Sequence, residues 1–346
     1  PPVIIDLAEQ FRANIVASED AVLMQMARAW LDVESRLAAQ LSALVAEVQS
    51  SPNPPTPAQL RNMRRYRELL RQVSSELSNY AGMVESSTES RTLQAATLGW
   101  EHANVLQSTA ISTIPGVAVQ FDRLPVPATE YLTAFTQTGS PLRATLLDAS
   151  GAGVDAMARE LIAGLALGRN PRDIARRAMR QGLGQSFTRM QTIARTEVLR
   201  SYRAATLDNY RQSRVTRGYR RVASKSIRTC IACLAVDGRE YALDVPFEEH
   251  PNGRCLAIPV IIGRPYRDIL TGPQWFDTQD DATQLQMMGP ERHELWKSGR
   301  VTWDNLAYLH ENETWGNSWQ VTPVYRLQEL ADITVAPLAD DLEDIR

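Results

Sequence analysis

The chain has 346 residues, enough for two domains or one large one, and its 44% hydrophobic and 22% charged content, with 18 Gly and 19 Pro, excludes wholesale disorder and fibrous repeats. No run approaches the roughly 18 apolar residues of a membrane-spanning helix, and Pro1-Pro2-Val3-Ile4-Ile5-Asp6 lacks the regions of a signal peptide, so a soluble protein made in a cytoplasm and free of membrane contact is expected. The net charge of −3 hides 35 Arg against 2 Lys, an excess for which codon bias in a GC-rich genome is the bland explanation.

Between Asp6 and Ser50 there is no Gly or Pro, and Met26, Trp30, Val33, Leu37, Leu41, Leu44 and Val48 recur at the spacing of three and four that lines one face of a helix. Leu7, Phe11, Ile15 and Val22 extend the stripe upstream. One helix of this length would reach about 65 Å, unless a cap at Ser18-Glu19-Asp20 divides it in two. The prolines of Ser50 to Pro57 impose a hinge, after which Leu60, Met63, Tyr66, Leu70, Val73, Leu77 and Tyr80 resume helical spacing, and a further helix is expected from Ser90 to Ser112. A Pro-containing stretch from Ile114 to Pro127 separates this region from helices around Asp155 to Leu167, a Gly168 stop, and helices over Pro171 to Arg180 and Phe187 to Ser213. From Arg214 through Val260 short apolar pieces and turn residues predict small β-ribbons around a site. Gly272 to His310 reads as helical again, Trp275, Trp296, Trp303, Trp315 and Trp319 fall in the last part, and Asp340 to Asp344 form an acidic tail.

The expected fold class is therefore mainly α with a small β-ribbon module (α+β). The divisions expected are a helical region at 1–113, a central helical domain at 114–213, a Cys/His β-ribbon module at 214–263 and a Trp-rich helical segment with an acidic tail at 264–346.

All three cysteines lie within 26 residues, as Cys230-Ile231-Ala232-Cys233 and His250-Pro251-Asn252-Gly253-Arg254-Cys255, and one of four histidines shares the window. A C-x-x-C turn aims two thiolates at one point, and a second pair from a later turn completes a tetrahedron around Zn²⁺. Cys230, Cys233, His250 and Cys255 thus read as a closed, structural zinc site, with Glu248 and Glu249 close enough to orient the imidazole. A disulfide or redox pair with Cys255 left over, and simply buried thiols, are the competing readings.

Charge is the second feature. Arg169 to Arg228 holds sixteen basic residues against Asp173, Glu197 and Asp208, a local balance of +13 that leaves −16 elsewhere. Such polarity suits a polyanion or an acidic protein surface, and Tyr202, Tyr210 and Tyr219 could stack on bases; a solvated helix face with structural Arg pairs is the alternative. Glu197 falls on the apolar stripe of Met190, Ile193, Ala194, Val198 and Ala205, where a carboxylate needs a partner, and an ion pair with an Arg of the same segment is expected. A catalytic Glu is the sharper alternative, but no nucleophile or second acid accompanies it. There is no P-loop, dinucleotide fingerprint, H-E-x-x-H or G-x-S-x-G, and His102, His293 and His310, in stretches expected to be helical, read as packing or surface residues.

Ile193-Ala194-Arg195-Thr196-Glu197, then Cys230-x-x-Cys233, Asp237-Gly238 and His250 to Cys255 before Ile258-Pro259-Val260, together resemble the Mu F-like head morphogenesis (minor head protein) family of tailed phages. Trp275-Phe276, Met287-Met288-Gly289 and Leu295 to Gly299 resemble the segment that often follows in that family, so the resemblance spans about Gly164 to Gly299; the first 110 residues match only in being helical. It implies a low-copy, non-enzymatic structural protein of the capsid interior at the portal vertex, present in the host cytoplasm during assembly and acting in head assembly, DNA packaging or DNA ejection. The portal protein, other capsid components and packaged double-stranded DNA would be its partners. Arg176, Arg177, Arg180, Arg203, Arg211, Arg220 and Arg221 are the candidate nucleic-acid or portal contacts, and Arg195 and Glu197 the candidate structural residues. Some relatives carry Cys where Gly253 stands, so the tetrahedron here depends on His250. Two other classes compete: an ADP-ribosyltransferase-like or other toxin enzyme carrying a Mu F-like module, and a free zinc-containing DNA-binding protein.

Overall fold

The computed structural model describes residues 2–50, 55–112, 141–166, 169–263, 266, 268–312 and 316–335. The expectations for 114–127, the Gly168 stop, Trp315 and the acidic tail lie outside them. The described residues form two compact units, a helical one within 13–99 and 122–205 and a sheet-bearing one within 1–12, 100–121 and 206–346.

In the helical unit the absence of helix breakers shows directly. Helix α1 runs unbroken over Pro2–Ser50, α2 over Pro57–Asn62 and α3 over Arg64–Ile111. The division at Ser18-Glu19-Asp20 does not occur, because the Glu19 side chain is buried and paired with Arg195 at 3.6 Å instead of capping a new helix. Thr56, with Gln59, closes a capping box that restarts the chain as α2. Within this unit α1 and α3 are antiparallel: Glu47 pairs with Arg65 at 2.6 Å, Arg36 with Glu76 at 2.8 Å, and Tyr80 Oη donates to Met26 C=O at 3.0 Å. The expected stripe from Val22 to Val48 is buried throughout, and on α3 Leu69 takes the core position in place of Leu70. Trp30 anchors this core, 5.0 Å from the ring centres of both Tyr80 and Phe187.

Three further helices, α4 (Pro141–Ala166), α5 (Pro171–Arg177) and α6 (Gly184–Gln212), follow, with a π-helical turn over Ala178–Leu183 joining α5 to α6 without the gap the sequence predicts. Gly182 explains that turn's close packing: a Cβ there would lie 2.8 Å from the Met157 backbone of α4.

The sheet-bearing unit is built on β1 (Thr216–Val222), flanked antiparallel by β2 (Glu240–Ala242) and β3 (Leu256–Ile261) in the order β2-β1-β3, with Tyr219 opposite both Tyr241 and Pro259. The ribbons expected from Arg214 to Val260 are thus present, but a short helix, α7 (Ile231–Val236), interrupts them. Helices α8 (Gly272–Asp277), α9 (Asp281–Met288) and α10 (Pro290–Lys297) form as expected. The helical reading fails at its end. A hairpin of β4 (Ala307–His310) and β5 (Ser318–Val321) takes its place, followed by α11 (Val324–Val335), because the packing of Ala307 and Val321 against α7 selects the strand conformation. Phe276 is the centre of a core of Ile231, Leu234, Leu295, Leu306 and Leu327, and Trp296 and Trp303 meet its ring edge-on at 5.4 and 5.1 Å. The start of α1 belongs here too: Ile4, Ala8 and Phe11 pack with Leu106, Val222, Ile258 and Val260, and Arg12 donates to the carbonyls of Val222 and Arg254 at 3.0 and 3.1 Å. Among the described residues, no helix is long and apolar enough to cross a membrane.

Candidate metal centre

Two local turns bring the cysteines and the histidine together. Cys230 takes the N-cap of α7 in extended conformation, and its Sγ accepts the Cys233 N–H at 3.3 Å, so one helical turn carries both thiols to the same side. In the loop before β3, Gly253 N–H donates to His250 C=O at 3.0 Å around Pro251 and a left-handed Asn252 (φ 63°), a tight turn after which Cys255 enters the buried start of β3.

Nε2 of His250 lies 3.2 Å from Cys230 Sγ and 3.1 Å from Cys233 Sγ. The donors fall into two groups sharing Cys233: Cys230, Cys233 and His250, and Cys233, Glu249 and Cys255, with the ligand atoms of each group within 4.8 Å of one another. These groups could hold a metal ion, and none of the three cysteines is tied up in a disulfide. His250 Nδ1–H donates to Pro251 C=O at 2.9 Å, which turns Nε2 toward the thiols.

The electrostatics are those of donors crowded together. Burial opposes the charged imidazole, yet the Cys230 hydrogen bond and the Glu249 and Cys230 charges outweigh it and lift His250 to about 9. The Cys233 hydrogen bond, opposed by burial and helped by His250, holds Cys230 down at about 5. Cys233 moves up, since its proton is shared with the sulfurs of Cys230 and Cys255 in a buried place.

Of the two glutamates expected beside the imidazole, only Glu249 is there. Its side chain is 2% exposed; Oε1 accepts the His250 backbone N–H at 3.1 Å and stands 3.6 Å from Cys233 Sγ, while Oε2 accepts from Arg221 at 2.7 Å. Glu248 turns away, its carboxylate 3.4 Å from Asn317 Nδ2. The sequence reading missed Arg221 as part of this centre. An arginine on a strand reads as exposed, and only the three-stranded pairing shows β1 to be central.

The seven contact arginines separate by burial. Arg176, Arg177 and Arg180 are exposed and, with Gln181, line one surface depression beside the π-helical turn, Arg176 also pairing with Asp173 one turn back at 2.5 Å. Arg211 is exposed but engaged with Asp208 and the Leu243 carbonyl. Arg203, Arg220 and Arg221 are buried and therefore do not belong to an open contact surface; Arg220 donates to the carbonyls of Tyr266 and Ile269 at 3.1 and 3.2 Å. Tyr202, Tyr210 and Tyr219 are also buried and cannot stack on bases: Tyr210 Oη donates to Ala257 C=O and Tyr219 Oη to Pro246 C=O.

Arg195 meets Glu19 of α1, and Glu197, 3% exposed, pairs with Arg200 one turn later at 3.2 Å, an arginine of the same segment as expected. Burial nonetheless dominates over Arg200 and pushes the Glu197 carboxyl up to about 7. His102 is buried and stacked on Phe11 with ring centres 3.8 Å apart, and His293 is buried, whereas His310 ends β4 instead of lying in a helix.

Residues 155–258 match the family model described as Phage Mu protein F like protein. No curated protein and no solved structure matches the chain. The matched segment runs from α4 to β3 and contains the Arg195-Thr196-Glu197 turn of α6, Arg221 and every cysteine and histidine of the centre, and over these residues the chain is similar to the Phage Mu protein F like family.

Proposed function

We propose that this protein is a structural minor head protein of a tailed phage, placed inside the capsid at the portal vertex and acting in head assembly, DNA packaging or DNA ejection, without a catalytic role. The observation that carries the reading is the family match over residues 155–258, which coincides with the one stretch holding both the Arg-Thr-Glu helix and the Cys/His centre. The exposed Arg176, Arg177 and Arg180 offer a cationic face to packaged double-stranded DNA or to an acidic portal surface.

In this reading Cys230, Cys233, His250 and Cys255 hold a structural zinc ion. Three reduced thiols, two of them facing His250 Nε2, and that imidazole suit Zn²⁺ by donor type. Bound there, the ion would supply the positive charge that lets buried thiolates share one site, with binding free energy on the order of 10 kcal/mol available to fold the module. The residues themselves do the rest: α7 aims two thiols, the turn at Pro251-Asn252 delivers the imidazole, and β3 fixes the third thiol.

Mass spectrometry of purified particles, combined with capture on a portal ring, tests the proposal. Recovery of the chain in the particles and with the ring is expected. Its absence from both, with NAD-dependent modification of a target or with portal-independent DNA binding, would move the assignment to an ADP-ribosyltransferase-like enzyme or to a free DNA-binding protein.

A further inference from the structure

We propose that Arg221 is a positioning residue of the metal centre: from the middle strand of the sheet it grips residues 247–249 and thereby presents His250 to the thiols. The inference rests on the metal reading above and reassigns a residue whose charge suggests an external partner. The Arg221 side chain is 2% exposed, and its hydrogen bonds all lead one way. Nη1 donates to Glu248 C=O at 2.7 Å, Nη2 donates to Glu249 Oε2 at 2.7 Å, and the guanidinium carbon sits 4.5 Å from the Phe247 ring centre. These are the three residues immediately before His250. Phe247 packs in turn against the cluster of Ala223, Cys233 and Cys255, so the gripped segment touches the sulfur side of the centre as well.

The backbone of Arg221 is itself fixed. Its N–H donates to Arg239 C=O and its C=O accepts from Gly238 N–H, both at 2.9 Å, and it lies opposite Ala257, two residues beyond Cys255. A planar fork that bonds a carbonyl and a carboxylate at once sets direction as well as distance, which an ammonium on a flexible stem does not. Glu249 passes the constraint on, since its other carboxylate oxygen accepts the His250 N–H and faces Cys233. Gly253 is the third part. A Cβ there would stand 2.3 to 2.4 Å from the Glu249 side chain, so the carboxylate keeps its place only because residue 253 has no side chain.

The test uses the full chain and zinc alone, with affinity measured by competition against a chromogenic chelator and the ligand field read from the visible bands of the Co²⁺-substituted protein. Arg221→Lys keeps the charge but loses the fork, and its zinc affinity should fall about ten- to a hundred-fold with altered cobalt bands. Gly253→Ala, whose three nearest contacts would all be atoms of the Glu249 side chain, should reproduce the effect, and the double variant should be little worse than the weaker single one, because both act on one element. Arg217→Ala, an exposed arginine of the same strand, should bind as wild type. If Arg221→Lys does not fold, Gly253→Ala alone carries the test. Wild-type affinity and unaltered cobalt bands in the variants, with no more than a lowered melting temperature, would overturn the proposal. Wild-type protein that takes up no zinc would overturn the metal reading itself.

Discussion

Glu197→Gln should stabilise the protein above neutral pH, although the carboxylate has the partner that its sequence suggests. Glu197 is 3% exposed, and Arg200, the arginine that faces it at 3.2 Å, has a side chain 36% exposed, so its field is shared with water. Burial wins, and the carboxyl rises from its ordinary 4.5 to about 7. A rise of that size corresponds to about 3 kcal/mol, taken from folding once the group must ionise. The sign follows from proton counting. Between about pH 4.5 and 7 the folded state holds a proton that the unfolded state has lost, so stability declines as pH rises through this window and levels off above it. The neutral amide removes that decline. Urea unfolding at pH 5 and pH 8.5 should therefore show wild type and Glu197→Gln nearly equal at the lower pH and the variant more stable by about 2 to 3 kcal/mol at the higher. Parallel pH profiles, or a variant less stable at pH 8.5, would mean that the Arg200 pair outweighs burial and that the reasoning is wrong.

Gly182→Ala should lower stability by about 1 to 3 kcal/mol in a thermal melt, because its Cβ meets the Met157 backbone, which cannot swing aside as a side chain would. His102 should stay neutral in ¹H–¹⁵N titrations down to about pH 4, burial having depressed its value; as a base with a lowered folded value, it withdraws stability as pH falls below 6.5. On the proposed zinc reading, chelation of the metal, or Cys230→Ser, should unfold the 230–255 module before the helical unit, seen as early loss of amide protection in hydrogen exchange there. On the proposed DNA-contact reading, replacing Arg176, Arg177 and Arg180 with Ala should reduce the salt dependence of binding to double-stranded DNA, by about 0.9 in the logarithmic slope for each phosphate that is no longer neutralised, while the same change at buried Arg220 should act on stability instead.

Local rules made much of this molecule legible in one dimension. A run without Gly or Pro that repeats apolar residues every three or four positions can bury them only as a helix, so α1 and most of α3 follow from residue order. The Cys/His window was legible only within each turn, where C-x-x-C and His250 to Cys255 are local; the meeting of the two turns, and the split of the donors into two groups sharing Cys233, was decided by the fold. Partner identity was partly legible: Glu197 finds its arginine one turn away because residues three apart on a helix share a face.

Tertiary structure decided what spacing cannot encode. Whether an arginine meets solvent depends on what covers its face of the sheet: Arg220 lies under the carbonyls of Tyr266 and Ile269 and Arg221 under Phe247 to Glu249, while Arg217 of the same strand stays exposed. Ser18-Glu19-Asp20 looked like a place where the helix could break and restart, until Arg195, 176 residues from Glu19 in sequence, came within 3.6 Å of its carboxylate. The β4–β5 hairpin likewise forms where the local pattern favoured helix, because Ala307 and Val321 gain burial against α7 only as strands. Burial and long-range pairing are properties of neighbours brought together by the fold, and the order of residues along a strand does not name them.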